Sequence, residues 1–303
     1  MAKENTVFLY GRVSRNVVKV DEEGNLKSSK IMLETARRSF MKENFIITGQ
    51  VRWDILCVYS RNEYTIRTQM MDVHQGDIIF VKGSLCTQDA SRKFICPKCG
   101  NVQIIPSAVV VYIDPVQVLK VHEGFTDAEY QALLDKGMDE EAIRKKYPDI
   151  CTATSARKAL EDSREIGNQI FIDGTLCREP LITDFYHDDK KNVDHFQFQI
   201  ASSRARRIKE DPVDKKTDFP WVKYYGKYAR EYADSLHKGS SVFIDGAIQT
   251  REVTVTAQCP DCRALMEKKI YATEIVPYHV EYLHNCGQEF TPVEGFDTYR
   301  EEG

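Results

Sequence analysis

A mainly β chain, built as two tandem five-stranded barrels joined by a helical linker, is what this sequence predicts, on three observations. The first is an internal repeat. Asn5-Thr-Val-Phe-Leu-Tyr-Gly11 returns as Asn168-Gln-Ile-Phe-Ile-Asp-Gly174, Gly76-Asp-Ile-Ile-Phe-Val-Lys-Gly83 as Gly239-Ser-Ser-Val-Phe-Ile-Asp-Gly246, and Cys96-Pro-Lys-Cys99 as Cys259-Pro-Asp-Cys262, each at a spacing of 163 positions (5 to 168, 76 to 239, 96 to 259). The second is the pattern inside each copy: short alternating runs of Val, Ile, Phe and Tyr, broken by Gly or charged loops, which is strand periodicity. The third is the change of composition from Thr126 to Glu165, rich in Ala, Leu, Glu and Lys, with helix caps at Thr126 and Ser155. These observations divide the chain into a first barrel over 1–124, a charged helical linker over 125–166, a second barrel over 167–286 and a tail over 287–303.

In the second copy the strands fall near 168–177, 194–203, 219–226, 241–251 and 268–283, with a short helix over 227–237. Five strands with a helix between the third and fourth are the arrangement of an OB barrel. Between the anchors the spacing drifts: Ala36-Arg37-Arg38 aligns with Ala205-Arg206-Arg207 at 169 (36 to 205), Trp53 with Trp221 at 168, and Pro115 to His122 with Pro277 to His284 at 162. The linker reads as a solvated spacer that sets the distance between barrels.

A chain of 303 residues and 34.9 kDa has room for two domains with cores of their own. Hydrophobic residues at 42% and charged residues at 29% mark a soluble globular protein, and no apolar run approaches the ~18 residues of a membrane span. Met1-Ala-Lys-Glu-Asn5 is not a signal peptide, so a cytoplasmic location is expected. The net charge of -4 excludes a uniformly basic nucleic-acid binder and leaves the question to local patches. Nine cysteines, an odd number without an export signal, favour metal ligation by a subset over a disulfide framework.

The third strand carries the binding chemistry. Alternation puts Trp221, Lys223 and Tyr225 on one face and Val222 and Tyr224 on the other, with Lys227 following. Aromatic platforms beside cations are what a single strand's bases and phosphates require. In the first copy Trp53, Ile55, Cys57 and Tyr59 share a face with no cation between the aromatics, which predicts weaker binding there. Phe196 and Phe198 read as core. Arg204, Arg206, Arg207, Lys209, Lys215 and Lys216 cluster between the second and third strands, where Arg37 and Arg38 occupy the repeated place. They suit phosphate contacts; the plainer reading is a solvated tip diluted by Glu210, Asp211 and Asp214. No HExxH, GxxxxGK or GxSxG is present, the seven histidines are dispersed, and His122 and His284 read as surface residues, so no catalysis is expected.

Phe219-Pro-Trp-Val-Lys-Tyr-Tyr-Gly-Lys-Tyr-Ala-Arg-Glu-Tyr-Ala233, Leu236-His-Lys-Gly239 running on to Gly246, and Tyr271-Ala-Thr-Glu-Ile275 together resemble the bacterial single-stranded DNA-binding protein family. The resemblance covers about 168–284 and reaches the first copy through the repeat. It implies sequence-tolerant coating of single-stranded DNA in replication, recombination or repair, in a bacterial or phage-infected cell. It also implies stacking on Trp53, Tyr59, Trp221 and Tyr225 and phosphate contacts from Arg37, Arg38, Arg204, Arg206, Arg207, Lys223 and Lys227. Family members with two barrels per chain pair as homodimers, which implies the same here, alongside replication or recombination proteins as partners. The sequence departs from the family where Glu252-Val-Thr254 follows the fourth strand in place of an aromatic, and where Tyr299-Arg-Glu-Glu-Gly303 replaces an acidic tip ending in Phe. The paired CxxC motifs are a further departure and point to a divergent phage or mobile-element branch. An RNA-binding or protein-interaction OB module is the alternative reading.

Cys96, Cys99, Cys259 and Cys262 are the expected ligands of a structural zinc ion. Zinc takes four thiolates in a tetrahedron, and each copy supplies two. Each pair falls at the outer end of the hairpin between strands four and five, and a ten-residue strand is about 33 Å long. Cys86 and His122 are therefore out of reach. The expected arrangement is one four-thiolate ion joining the two tips, within the chain or across a dimer. The competing arrangement gives each pair its own ion, completed from Cys57, Cys151, Cys177, His284 or Cys286.

Overall fold

The computed structural model describes residues 4–40, 47–187, 191–204, 217–225 and 229–285. The first copy forms β1 (Asn5–Val20), β2 (Leu26–Phe40), β3 (Ile47–Ser60), a helical turn α1 (Glu63–Thr65) continuing as a π-turn (Ile66–Met70), β4 (Ile78–Ile95) and β5 (Val102–Gly124). The linker holds α2 (Asp127–Asp135), α3 (Glu140–Lys146), β6 (Ile150–Cys151) and α4 (Ala153–Asp162). The second copy forms β7 (Asn168–Leu176), β8 (Leu181–His187), β9 (Lys191–Ser203), β10 (Thr217–Asp218), β11 (Trp221–Tyr225), α5 (Ala229–Ser235), β12 (Ser240–Gln258) and β13 (Leu265–Asn285).

Each copy closes on itself. β1-β2-β3-β5-β4 returns to β1, and β7-β9-β11-β13-β12 returns to β7, so the ladder leaves each barrel no open seam. All pairings within the barrels are antiparallel except β3 with β5 (Val58 opposite Ile113) and β11 with β13 (Val222 opposite Ile275). Alternation sets the core: Val7, Leu9 and Val13 of β1 and Ile170 and Ile172 of β7 are fully buried, as are Phe196 and Phe198 of β9. These are two OB barrels with a helical linker. The hairpin β8–β9 was not anticipated, and the fourth and fifth strands run on past the barrels as long paired arms.

The barrels are fused through their first strands. β1 pairs antiparallel with β7, from Asn5 opposite Ile172 to Leu9 opposite Asn168, which makes one sheet run through both copies. The asparagine that opens each first strand ties it to the fourth strand of its own barrel, because its amide offers a donor and an acceptor together. Asn5 accepts from the Leu85 amide at 2.9 Å and donates to the Leu85 carbonyl at 2.9 Å. Asn168 does the same with Ile248, at 2.9 and 2.6 Å.

The linker packs through Ile143 of α3 and through α4 while α2 buries no residue, so only its first helix fits the expected solvated spacer. Thr126 caps α2 in a capping box, as expected. The cap of α4 is Thr152, not Ser155, whose amide donates to the Thr152 hydroxyl at 3.2 Å. Ala156 and Leu160 of α4 are buried, and the helix lies on β1 and β2. Its exit is pinned at Gly167, whose carbonyl accepts from Tyr10 N at 2.8 Å and where a Cβ would sit 2.6 Å from the Ala36 carbonyl oxygen. At the other end Arg12 pairs with Asp127 at 2.7 Å. Among the described residues no helix is long and apolar enough to cross a membrane.

Candidate nucleic-acid interface and metal centre

β11 lies between β9 and β13, and its buried residues face the core: Val222 is fully buried and the Tyr224 ring centres 5.6 Å from that of Phe196. Alternation turns Trp221, Lys223 and Tyr225 the other way, with Trp221 and Tyr225 half-buried and Lys223 itself buried at 6% exposure. Under them lies a charged network in which Glu274 accepts from Arg251 at 2.6 and 2.9 Å and from Gln249 at 2.9 Å, while Gln249 donates to the Tyr225 hydroxyl at 3.3 Å. Burial alone would push the Glu274 carboxyl up, but those hydrogen bonds and the Arg251 charge outweigh it and hold it below the ordinary range. Burial pulls the Lys223 ammonium down, against the opposing pull of Glu274. On β3, Leu56 and Val58 are buried while Trp53, Ile55, Cys57 and Tyr59 face outward, Ile55 at 44% exposure.

All four outward aromatics carry a cation over the ring. Arg157 lies 4.9 Å from the Trp53 centroid, Arg61 5.7 Å from Tyr59, Arg178 5.2 Å from Trp221 and Lys223 5.5 Å from Tyr225. Sequence reasoning missed Arg61, Arg157 and Arg178. Arg61, two residues beyond Tyr59 in the same strand direction, could have been found by alternation; Arg157 comes from α4 and Arg178 from the β7–β8 turn, and no local signal marks either.

The arginines expected on phosphates have other work. Arg37 is buried, its Nε 2.6 Å from Asp54, with one amino group donating to the Arg38 carbonyl and another to Gln249 of the second barrel, each at 3.2 Å. Asp54 in turn accepts from Thr250 N at 2.6 Å. Arg204 repeats the device in reverse: its Nε is 2.8 Å from the fully buried Asp218, which accepts from Thr87 N of the first barrel at 2.6 Å. Arg38 pairs with Glu165 of the linker and lies 5.7 Å over the Tyr278 ring. Arg37 and Arg204 are thus held at the joint between the barrels by the buried carboxylates of Asp54 and Asp218, whereas Arg38 is part-exposed and pairs with an exposed carboxylate of the linker. Arg206, Arg207 and Lys227 lie outside the described residues, as do Lys209, Lys215 and Lys216.

The same geometry corrects the register of the third strand. Val58 and Val222 take one place, each the residue through which its strand pairs in parallel with the fifth strand. Trp221 then falls on Cys57, Lys223 on Tyr59 and Tyr225 on Arg61, while Trp53 falls on Thr217. Asp54 and Asp218 also coincide, which aligns Arg37 with Arg204 and not with Arg206. The two tryptophans look equivalent in sequence and are not so in the ladder.

The arms β4–β5 and β12–β13 meet at their tips. Cys96, Cys99, Cys259 and Cys262 have all their sulfurs within 4.8 Å of one another, with Cys96 to Cys262 at 3.4 Å and Cys99 to Cys259 at 3.6 Å. Thiolates on one tetrahedral zinc at about 2.3 Å stand about 3.8 Å apart. Phe94 and Met266 close a small apolar cluster beneath them, and Asn101 donates to Asp261 across the joint. The turns match: Gly100 and Arg263 have positive φ (74° and 57°), and each donates its amide to the first cysteine's carbonyl at 2.9 Å. Amides of Cys99 and Lys98 aim at the Cys96 sulfur and hold its thiol down to about 6. At Cys99 the Asn101 amide also pulls downward, but the neighbouring cysteines Cys96, Cys259 and Cys262 outweigh it and push the thiol up to about 12. Four thiols in so small a volume ionise together only around a cation. The chemistry of the donor set fits zinc, and Cys57, Cys86, Cys151 and Cys177 join no such group among the described residues.

Residues 167–283 match the model of the Single-strand binding protein family. Two similar solved structures are those of the single-stranded DNA binding protein from Thermus aquaticus. The wild type is 14% identical at a TM-score of 0.50, over 96% of this chain and 98% of that one. A deletion mutant of the same protein is 16% identical at 0.49, over 97% and 100%. At this identity the likeness is one of fold. No curated protein matches the sequence.

Proposed function

We propose that this chain, whose second barrel matches the single-strand binding protein family, coats single-stranded DNA without sequence preference, does no chemistry on it, and serves replication, recombination or repair in the cytoplasm. One observation carries the reading: Trp53, Tyr59, Trp221 and Tyr225 all face outward with a cation over the ring. Bases stack on such rings whatever their identity, and the adjacent charge meets the phosphates. Titration with DNA, RNA and duplex of equal length at one stated salt concentration tests it. Single-stranded DNA should bind most tightly and quench tryptophan emission; preference for RNA would favour the RNA-binding alternative, and failure to bind either strand would remove the reading.

Zinc in this proposal is held by Cys96, Cys99, Cys259 and Cys262 as one ion within the chain. The mutual approach of the four sulfurs to within 4.8 Å supports this arrangement over two separate ions. Such an ion supplies no chemistry to DNA; it ties the arm of one barrel to the arm of the other and so sets the path a strand follows between them.

A homodimer is the proposed assembly. The outer face of the fused sheet supports it, because Phe8 of one copy and Phe171 and Phe243 of the other stand there half-exposed around a cavity of about 720 Å³ that also includes Lys82 and Leu283, with Phe80 stacked 6.1 Å from Phe8. Light scattering at micromolar concentration should return twice the chain mass, and Phe171→Glu should return it to one.

A further inference from the structure

We propose that the linker helix α4 belongs to the DNA-binding surface: Arg157 supplies the cation that the outward face of β3 lacks beside Trp53, meeting the phosphate next to the base that stacks on that ring. The inference rests on single-stranded DNA being the ligand, and it adds to the barrels a segment outside either of them.

The position of Arg157 is fixed by its helix. Ala156 and Leu160, one turn apart, bury against β1 and β2, which holds α4 on the first barrel and brings the neighbouring residue 157 alongside Trp53. The anchors at Thr152 and Gly167 bracket the helix, and Gly167 packs on the carbonyl of Ala36, the cross-strand partner of Trp53. The guanidinium lies 4.9 Å from the indole centroid while the side chain stays 66% exposed. Its ion pair is a 3.6 Å contact with Glu161, also at the surface, and a pair of that kind binds weakly. An exposed cation–π contact is weaker than a base–aromatic stack. A base arriving on Trp53 can therefore displace the guanidinium, which stays tethered within reach of the phosphate on that nucleotide.

The second tryptophan argues the same way. Trp53 and Trp221 occupy different places in their barrels, and the arginines over them come from unrelated elements, α4 and the β7–β8 turn. A packing feature inherited through duplication would have used equivalent residues. The pairing of an outward tryptophan with an exposed arginine is thus reached twice by separate routes, in a chain with only two tryptophans.

The test uses the full chain and an oligo-dT of fixed length, titrated at several salt concentrations, with wild type, Arg157→Ala, Arg157→Lys and Arg178→Ala. Arg157→Ala should weaken binding about 3- to 10-fold at low salt and lower the slope of log affinity against log salt by about 0.7, the release of one counterion from a single strand. Arg157→Lys should keep the slope. Thermal unfolding should be unchanged, since the side chain is exposed. An unchanged slope for Arg157→Ala would overturn the proposal, and tighter binding would show a shield over Trp53 instead. If Arg178→Ala weakens binding and Arg157→Ala does not, the inference about the linker fails and single-stranded DNA stands. If the wild type does not bind oligo-dT, both fail.

Discussion

The joint between the barrels and the outward face of the third strand were duplicated together and have diverged differently. At the joint the two copies use the same parts: Arg37 with Asp54 and the Thr250 amide, Arg204 with Asp218 and the Thr87 amide. On the third strand the corresponding places hold Cys57, Tyr59 and Arg61 in one copy and Trp221, Lys223 and Tyr225 in the other. The difference follows from burial. A buried guanidinium needs its carboxylate, and either one left alone is an uncompensated charge, so both partners are constrained at once. An outward platform needs some aromatic and some cation nearby, and many combinations satisfy that.

The largest effect should come from the one device the copies share. Metal removal, or Cys259→Ser, should abolish zinc binding, which in small thiolate sites is on the order of 10 kcal/mol. Native mass spectrometry should count one ion per chain in the wild type and none in the variant, with the turns at 96–101 and 259–264 becoming protease-sensitive. Two ions, each surviving loss of the other pair, would sink the shared site. Acidification should release the ion, because the ligands bind as thiolates and protons compete for them as pH falls.

Breaking a lock comes next. Asp218→Ala takes the buried carboxylate from the Arg204 guanidinium, whose side chain is 4% exposed, and should cost about 3–5 kcal/mol in urea unfolding. Asp54→Ala should cost a similar amount, because each arginine keeps other hydrogen bonds, Arg37 to Gln249 and the Arg38 carbonyl and Arg204 to the Thr87 carbonyl. A loss below about 1 kcal/mol in either variant would break the equivalence of the two joints.

The binding strand should show the asymmetry directly. Trp221→Ala should weaken oligo-dT binding by about 1–3 kcal/mol, with Trp53→Ala below it, and the emission of whichever tryptophan remains should still be quenched by DNA. Equal losses would mean that the different ladder positions do not matter. The smallest change is expected from Arg206 and Arg207, which lie outside the described residues. Neutralising each should lower the salt slope by about 0.7, and no change would make that segment a solvated tip.

Much of this was legible in the residues. The repeat announced two barrels, alternation gave the two faces of β11, and paired CxxC motifs at matching places called for one shared cluster of four cysteines. Those signals are local or periodic, and each survives in a single strand or turn. The helix cap at Thr152 was missed because Ser155 is an equally good capping residue, and only the first turn's backbone distinguishes them. Ala-Arg-Arg looked like one repeated motif because identical letters invite alignment, whereas the ladder sets Arg37 against Arg204.

What the chain's own pattern decided is therefore the kind of each element and the face each residue takes, since periodicity acts within a few residues. What only the folded molecule decided is register and encounter. A third strand can shift against its repeat as the loop before it changes length, and the ladder alone fixes that Trp221 lies where Cys57 does. Likewise Arg157 and Trp53 stand far apart in sequence, and they meet because α4 buries Ala156 and Leu160 on a barrel wall. Contacts between distant segments are selected by the packing of the whole, where each burial and ion pair constrains the others, and no short stretch of sequence holds that information.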